Sequence, residues 1–545
     1  MNMRRRTERK AQPCQSIVRR FAVVCTATIC IHAALFPIIR TQAQHREMHL
    51  SLREATAFAL QGNLNIQVAG LNPLIREAQV TEARGIFDVQ GRAALEASDA
   101  RLLSTSTTPL ERVTGESGRE VLRQDNSQEQ RLSLGVSQLT PYGGTYEIDI
   151  VGSHLDTTRN TSATEVRRLE TGEIAPRADF YENAVELRLA QPLLRNFGAT
   201  VTKNQILIAR NNLTSSQEDF RQQVIAVTSG VQQTYWELVF RRQDLEVRNQ
   251  QLALAQRLLE QIRKQVAVGT LAPIEVLQTE TDIARTRERI IVAENAVRDA
   301  EDRLKRVMNF SLIGELADVE LLPTDAPSYT VPTLDQYEEI RQALEHRPDL
   351  RQSKLDLDNQ HIALVFTQNQ VLPTLDLEAS VRINGIDTNF GDSFSQFDLT
   401  DRNQWQVGVV FRYPLANRTA RSRVEQSRLG IRQQILRIKN LEEDIMADVR
   451  AAVRNVLTNA QRVQASRAAS RLAQKQLEAE EKKLQVGLAT VFTVLEFQED
   501  LAVERSNEIN ALTEYLKALV RLEEAKGTLL QSYNIVLQAD GPRLQ

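Results

Sequence analysis

The chain has 545 residues, 42% hydrophobic and 25% charged, with only 22 Gly and 15 Pro. So few turn formers argue against a turn-rich β-sandwich and for long helices, and the apolar fraction excludes wholesale disorder. The formal charge is −3, and Lys and Arg are spread along the chain, which excludes a dedicated polyanion-binding surface.

Residues 1–43 read as a secretory signal: a basic start (Arg4, Arg5, Arg6, Arg9, Lys10, Arg19, Arg20), an apolar Phe21 to Ile39, and Thr41-Gln42-Ala43 for cleavage. The alternative is an uncleaved anchor, for which about 19 apolar residues is borderline. Cleavage after Ala43 removes eight basic residues and one acidic residue, which takes the formal charge from −3 to −10. It also removes all three cysteines, Cys14, Cys25 and Cys30, so neither disulfides nor thiolate metal sites would hold the exported chain. No later stretch approaches 18 uninterrupted apolar residues. If the exported chain crosses a membrane, it must do so as β-strands.

In chain order, the first element is a short amphipathic helix over roughly 64–85. Leu132, Leu134 and Val136, then Tyr146, Ile148 and Ile150, flank Pro141-Tyr142-Gly143-Gly144 as a hairpin within 131–153. Polar stretches around 104–130 and 154–180 read as long surface loops. Val185, Leu187 and Leu189 alternate with Glu186 and Arg188 as a strand. The tract 199–310 follows. There Val224, Val231, Leu238, Leu245, Leu252, Leu259 and Val266 recur every seventh residue, and the repeat resumes past Gly269 and Pro273 at Val276, Ile283, Ile290, Val297 and Leu304. Strict seven-residue recurrence gives each helix one apolar seam, so the tract reads as a long coiled-coil hairpin.

Residues 312–333, with Pro323, Pro327 and Pro332, read as a linker. A second short helix is expected over roughly 349–371. Two strands follow, on Leu375, Leu377, Val381 and Ile383, and on Trp405, Val407, Val409 and Phe411. The tract 417–532 repeats the first hairpin 218 residues later: Val449, Val456, Val463, Ser470, Leu477 and Leu484 fall opposite Val231, Leu238, Leu245, Leu252, Leu259 and Val266. The shared break at Val268-Gly269 and Val486-Gly487, with matches outside the seam, indicates a duplication. The tail after Tyr533 has no strong pattern. Each strand alone fits a soluble sheet with one wet face. Several on an exported chain without a membrane helix favour a barrel wall around a wet lumen.

No phosphate loop, nucleophile elbow or Cys/His cluster is present, so no catalytic residue, cofactor or metal ligand is assigned. His45 and His49 are four apart, a spacing that can bind zinc on a helix, but they sit at the expected N-terminus of the exported chain, where chains are often unordered.

The two tips, Val268-Gly269-Thr270-Leu271-Ala272-Pro273-Ile274-Glu275-Val276-Leu277 and Val486-Gly487-Leu488-Ala489-Thr490-Val491-Phe492-Thr493-Val494-Leu495, resemble the Val-Gly, turn, Asp-Val-Leu pattern of the TolC-like outer-membrane efflux and type I secretion channels. The strand exits Gln191-Pro192-Leu193 and Tyr413-Pro414-Leu415 also resemble that family.

The resemblance implies a mainly α fold with β and a homotrimer. Each copy would give four strands to a shared outer-membrane β-barrel and two hairpins to a periplasmic α-barrel, with the short helices and the linker as a belt. It implies a passive exit duct seated in outer-membrane lipid, docked through a periplasmic adaptor (membrane fusion protein) to an inner-membrane transporter of RND or ABC type. It implies no cofactor, no catalysis and no nucleic-acid partner. It places an acid-lined aperture at Glu275, Thr493 and Glu496, and adaptor contacts at Val268, Gly269, Thr270 and Leu271 and at Val486, Gly487, Leu488 and Ala489. Thr493 stands where the family has Asp, and Ala489 replaces a basic residue, which weakens a tip salt bridge as the gate. The alternative for Glu275 and Glu496 is a solvated helix face. The 131–153 hairpin exceeds the four-strand pattern, and a periplasmic coiled-coil adaptor or scaffold without a pore remains the competing function.

Overall fold

The computed structural model describes residues 47–107, 120–161, 177–310, 319–331, 333–397, 403–538 and 541–544. The expected signal at 1–43, His45 and Pro332 lie outside these residues.

β1 (Glu47–Leu50) leads into α1 (Leu52–Gly62), which starts with a capping box. The Glu54 N–H donates to Ser51 Oγ (3.3 Å) and the Ser51 N–H donates to Glu54 Oε2 (2.9 Å). α2 (Leu64–Arg84) then feeds four strands in succession: β2 (Gln90–Thr107), β3 (Glu120–Leu139), β4 (Thr145–Thr161) and β5 (Arg177–Pro192). A single turn, α3 (Ala199–Thr202), precedes the hairpin of α4 (Asn204–Ala267) and α5 (Ile274–Val307).

The second half runs through β6 (Glu320–Pro323), α6 (Gln336–His346), α7 (Pro348–Asn369), β7 (Thr374–Asp387), the short α8 (Phe390–Ser395) and β8 (Asn403–Arg412). The hairpin of α9 (Arg418–Gln485) and α10 (Val491–Lys526) follows. The chain closes with α11 (Leu529–Ser532) and the strands β9 (Ile535–Gln538) and β10 (Gly541–Leu544). The fold is mostly helical with sheet.

α4 and α9 hold 64 and 68 residues, so each is about 100 Å long. No single chain can wrap such rods, so each helix buries only the flanks its neighbours cover. α5 lies along α4, α4 along α10, and α10 along α9. At the other end of the rods α2 packs on α4, and α7 lies between α4 and α9.

The seams Ile283, Ile290, Val297 and Leu304 on α5, and Val449, Val456, Val463, Ser470 and Leu477 on α9, are buried. On α4 only Val224, Val231 and Leu238 of the seven-residue row are fully buried; Leu245, Leu252, Leu259 and Val266 are half-buried. The buried row shifts to Val247, Gln251, Ala255, Leu258 and Ile262. A straight helix turns by about 20° per heptad away from a seven-residue row, and α4 must serve two flanking helices.

Between residues 229 and 244 of α4 the contact with α10 carries a row of polar pairs: Ser229 with Glu524 (2.5 Å), Gln233 with Arg521 (3.0 Å), Glu237 with Lys517, and Asp244 with Ser506 (2.5 Å). Midway along the rods, β1 pairs in parallel with β6, so part of the linker is a strand. Tyr235 is fully buried beside it, and its hydroxyl donates to Asp325 Oδ2 (2.6 Å).

One antiparallel sheet has the order β2-β3-β4-β5-β7-β8. These six strands correct the four that the resemblance implies. Residues 90–107 form a strand that the sequence pattern did not reveal. The stretches read as loops at 104–130 and 154–180 hold strand residues through Thr107, from Glu120, through Thr161 and from Arg177. Polar strands that continue past an apolar band carry no alternation to detect. His49 lies in β1, which removes the helical spacing considered for it.

Candidate functional site

Each hairpin turns through the same backbone motif. At the first tip the Gly269 N–H donates to Val266 O (3.0 Å) and the Thr270 N–H to Gln265 O (2.9 Å). At the second, the Gly487 N–H donates to Leu484 O (3.1 Å) and the Leu488 N–H to Lys483 O (2.8 Å). Both glycines sit at φ +78°, the left-handed position that ends a helix at low cost only for glycine. The duplication seen in sequence is thus a duplication of turn geometry.

The two tips share one apolar core: Leu258 and Ile262 from α4, Leu477 from α9, and Val494, Leu495 and Leu501 from α10, with Leu271 and Val276 packed against it. Val268, Ile274, Val486, Leu488 and Phe492 point outward and are more than half exposed. The residues expected to meet an adaptor are therefore brought together as one end of the protein with an apolar rim.

The expected aperture residues take three different roles. Glu275 lies in the first turn of α5 and is half-buried; its Oε2 is shielded and has no hydrogen-bond partner among the described residues. Glu496 is exposed on α10. Thr493 is engaged locally: its N–H donates to the capping Thr490 Oγ1 (3.2 Å), and the two hydroxyls are 2.7 Å apart. Sequence reasoning missed a second acidic set two turns further along. Burial, then the nearby Glu499 carboxylate, raise the Asp282 carboxyl above its ordinary range, while Arg289 bridges α5 to α10 by pairing with Glu499 at 2.6 Å.

At the other end, the register of the sheet sorts its faces. One row runs Gly91, Val136, Ile148, Leu187, Val381, Trp405, and the next Ala93, Leu134, Ile150, Val185, Ile383. Leu95, Leu132, Leu189, Val407, Val409 and Phe411 are on the same face, and all are at least 45% exposed. The opposite face carries an ion-pair ladder that spans the strands. Arg92 on β2 reaches Asp149 on β4 at 2.7 Å and Glu147 at 3.0 Å; Arg188 on β5 pairs with Glu186 at 2.7 Å; Arg382 on β7 pairs with Glu182 at 3.0 Å.

Arg92 bypasses β3 because Gly135 stands between: a Cβ there would lie 2.1 Å from Asp149 Oδ1. Among the described residues no helix is long and apolar enough to cross a membrane, and no cluster of potential metal ligands occurs.

The family model described as outer membrane efflux protein matches residues 155–309 and 340–528. The outer membrane protein TolC of Escherichia coli K12 is 26% identical over 282 residues, which are 50% of this chain and 55% of that protein. The chain therefore spans about half the length of that relative. The outer membrane efflux protein BepC of Brucella suis biovar 1 is 25% identical over 395 residues, 70% of this chain and 78% of BepC. The crystal structure of VceC from Vibrio cholerae has the same fold, with a TM-score of 0.58 at 14% identity over 87% of this chain and 96% of that one. The family model covers more than half of the sequence: the chain belongs to the outer membrane efflux protein family.

Proposed function

We propose that the protein is the exit duct of an export system: a homotrimer whose sheets close a barrel in the outer membrane and whose hairpins continue it as a helical tube in the periplasm. Cargo passes through water without chemistry by this chain. The tips receive a periplasmic adaptor, which links the duct to an inner-membrane transporter of RND or ABC type. In this reading residues 1–43 are the signal, 44–311 and 334–545 the two repeats, and 312–333 the segment joining them. Glu275 and Glu496 line the periplasmic aperture, Thr493 caps its helix, and Val268 to Leu271 with Val486 to Ala489 form the adaptor-facing rim.

The observation that carries the reading is the height of the exposed apolar face. On β7 it runs from Leu375 through Leu377, Ala379 and Val381 to Ile383, and stops where α8 seats on Gly385. Eight residue steps span about 26 Å of strand, or about 20 Å of height at a tilt of ~40°, close to the apolar band of about 25 Å of an outer-membrane barrel. A soluble sheet would cover that face; among the described residues α8 packs on it only at Gly385 and Asn183, and Val381, Trp405, Val407, Val409 and Phe411 stay at least 41% exposed.

The test is to purify the protein in detergent, measure its mass, and reconstitute it in planar bilayers. A trimer that conducts ions is expected. A monomer that folds without detergent and conducts nothing would refute the duct.

A further inference from the structure

We infer that the barrel has eighteen strands, three copies of six, closed by the β2 edge of one copy pairing with the β8 edge of the next. The inference rests on the trimeric duct and departs from the four strands per copy that the resemblance implies.

Three observations place the added strands, β2 and β3, in the wall rather than in a loop. Their apolar residues share the outward face of the other strands: Ala93, Leu95, Leu132, Leu134 and Val136 continue the rows of β4 to β8. Their polar face is joined to β4 by the Arg92–Asp149 pair through the gap at Gly135, which requires β2, β3 and β4 to lie in one surface. The turn from β3 to β4 is seated on the start of the helical part: the Gly198 N–H donates to Tyr142 O (3.3 Å), and a Cβ on Gly143 would meet Asn196 O at 2.3 Å.

β3 is then paired along its length on both sides, as are β4, β5 and β7, so the open edges of the sheet are β2 and β8. β2 follows α2 and β8 precedes α9, so the two run in opposite directions. An antiparallel joint therefore forms between copies related by rotation about the barrel axis, and closure removes edges that would otherwise template aggregation.

The circumference agrees. Eighteen strands about 4.8 Å apart and tilted ~40° give a perimeter of about 110 Å, against about 75 Å for twelve. Four helices side by side per copy make twelve in a trimer, and at about 9 Å spacing they also give about 110 Å. The wider sheet continues the helical tube at the same bore.

Residues 44–545 contain no cysteine, so introduced thiols report cleanly from the exported chain. The test expresses the full chain in membranes with Val407→Cys combined in turn with Gly91→Cys, Ala93→Cys or Leu95→Cys, sampling the register of the joint, and with Ile148→Cys or Ile150→Cys on β4 as comparison. Oxidation should link copies into dimers and trimers on a non-reducing gel for at least one β2–β8 pair and for neither β4–β8 pair. Links from β4, or none from any β2 pair in a preparation whose mass is that of a trimer, would overturn the eighteen-strand wall while leaving the duct in place. Preparations of monomer mass would overturn both.

Discussion

Replacing Gly135 by Ala tests whether the ladder on the polar face of the sheet depends on one missing side chain. The added Cβ would lie 2.1 Å from Asp149 Oδ1 and 3.3 Å from its Cγ, so the carboxylate must swing away. Asp149 is only 5% exposed and is held by Arg92 at 2.7 Å. Leaving that shielded carboxylate without its hydrogen-bond partner should cost about 1–3 kcal/mol. Thermal or denaturant unfolding of the detergent-solubilised protein reads this cost, with Ser133→Ala on the same face of β3 as the control.

A double-mutant cycle separates the mechanism from simple crowding. In an Arg92→Gln background the pair is already gone, so Gly135→Ala should cost less than half as much as it does in the native sequence. If the two costs add in full, the glycine does not act through Arg92 and Asp149, and the ladder argument fails.

Gly269→Ala and Gly487→Ala should each destabilise by about 1 kcal/mol, because both glycines are left-handed while nothing within 4 Å opposes a Cβ. Faster proteolysis confined to the tip would read this, and an unchanged digest would contradict it. Acid should loosen the clamp between α10, α6 and α11. Burial alone would raise Glu523, but Lys526 at 2.6 Å and the Thr528 and Ser532 hydroxyls outweigh it and lower its carboxyl below 4.5. A lowered carboxyl contributes stability above its unfolded pKa and loses it as pH falls through the folded one. Melting temperature should therefore fall below pH 4.5 less steeply in Glu523→Gln than in the native protein. Lys517→Met should cost about 3 kcal/mol, since Lys517 is 7% exposed and joins Glu237 on α4 to Glu514 on α10. A loss under 1 kcal/mol would mean that the polar α4–α10 contact carries little of the hairpin pairing.

The helical hairpins were legible because a seven-residue row names both the helix and its buried side, and because Gly269 and Gly487 mark their ends twice at the same spacing. β7, β8 and β5 were legible for a related reason: apolar residues alternate with polar and charged ones where one face of the sheet is apolar and the other carries ion pairs. β2 was not. Its outward positions within the band are Gly91, Ala93, Leu95 and Ala97, which carry almost no alternation, and its role depends on Arg92 reaching a residue 57 positions away. The drift of the buried row on α4 was also invisible, because a single sequence does not say how many helices flank one rod. The tip acids were legible as residues but not as environments: Glu275 is half shielded, Glu496 is exposed, and Thr493 is consumed by a cap.

If the proposed barrel and tube share one bore and the helices close in only at the tips, the constriction lies there, and its charge should govern ion selection. The sheet ladder is poorly suited to that task. Its carboxylates are shielded by paired arginines: Asp149 and Glu186 are 5% and 13% exposed, under Arg92 and Arg188 at 58% and 52%. In the proposed barrel the wall also stands farther from the axis than the Debye length of about 10 Å at 0.1 M salt, so most of its charge would be screened from an ion on the axis. Glu275 Oε2 has no hydrogen-bond partner among the described residues, Glu496 is exposed, and both lie at the hairpin tips. Neutralising them together, with Glu275→Gln and Glu496→Gln, should weaken the cation preference of the reconstituted channel, whereas Arg188→Gln should leave its reversal potential within a few millivolts of native. The opposite ordering, a large shift from the wall and none from the tips, would move the selective constriction to the sheet and contradict both the aperture assignment and the constant bore.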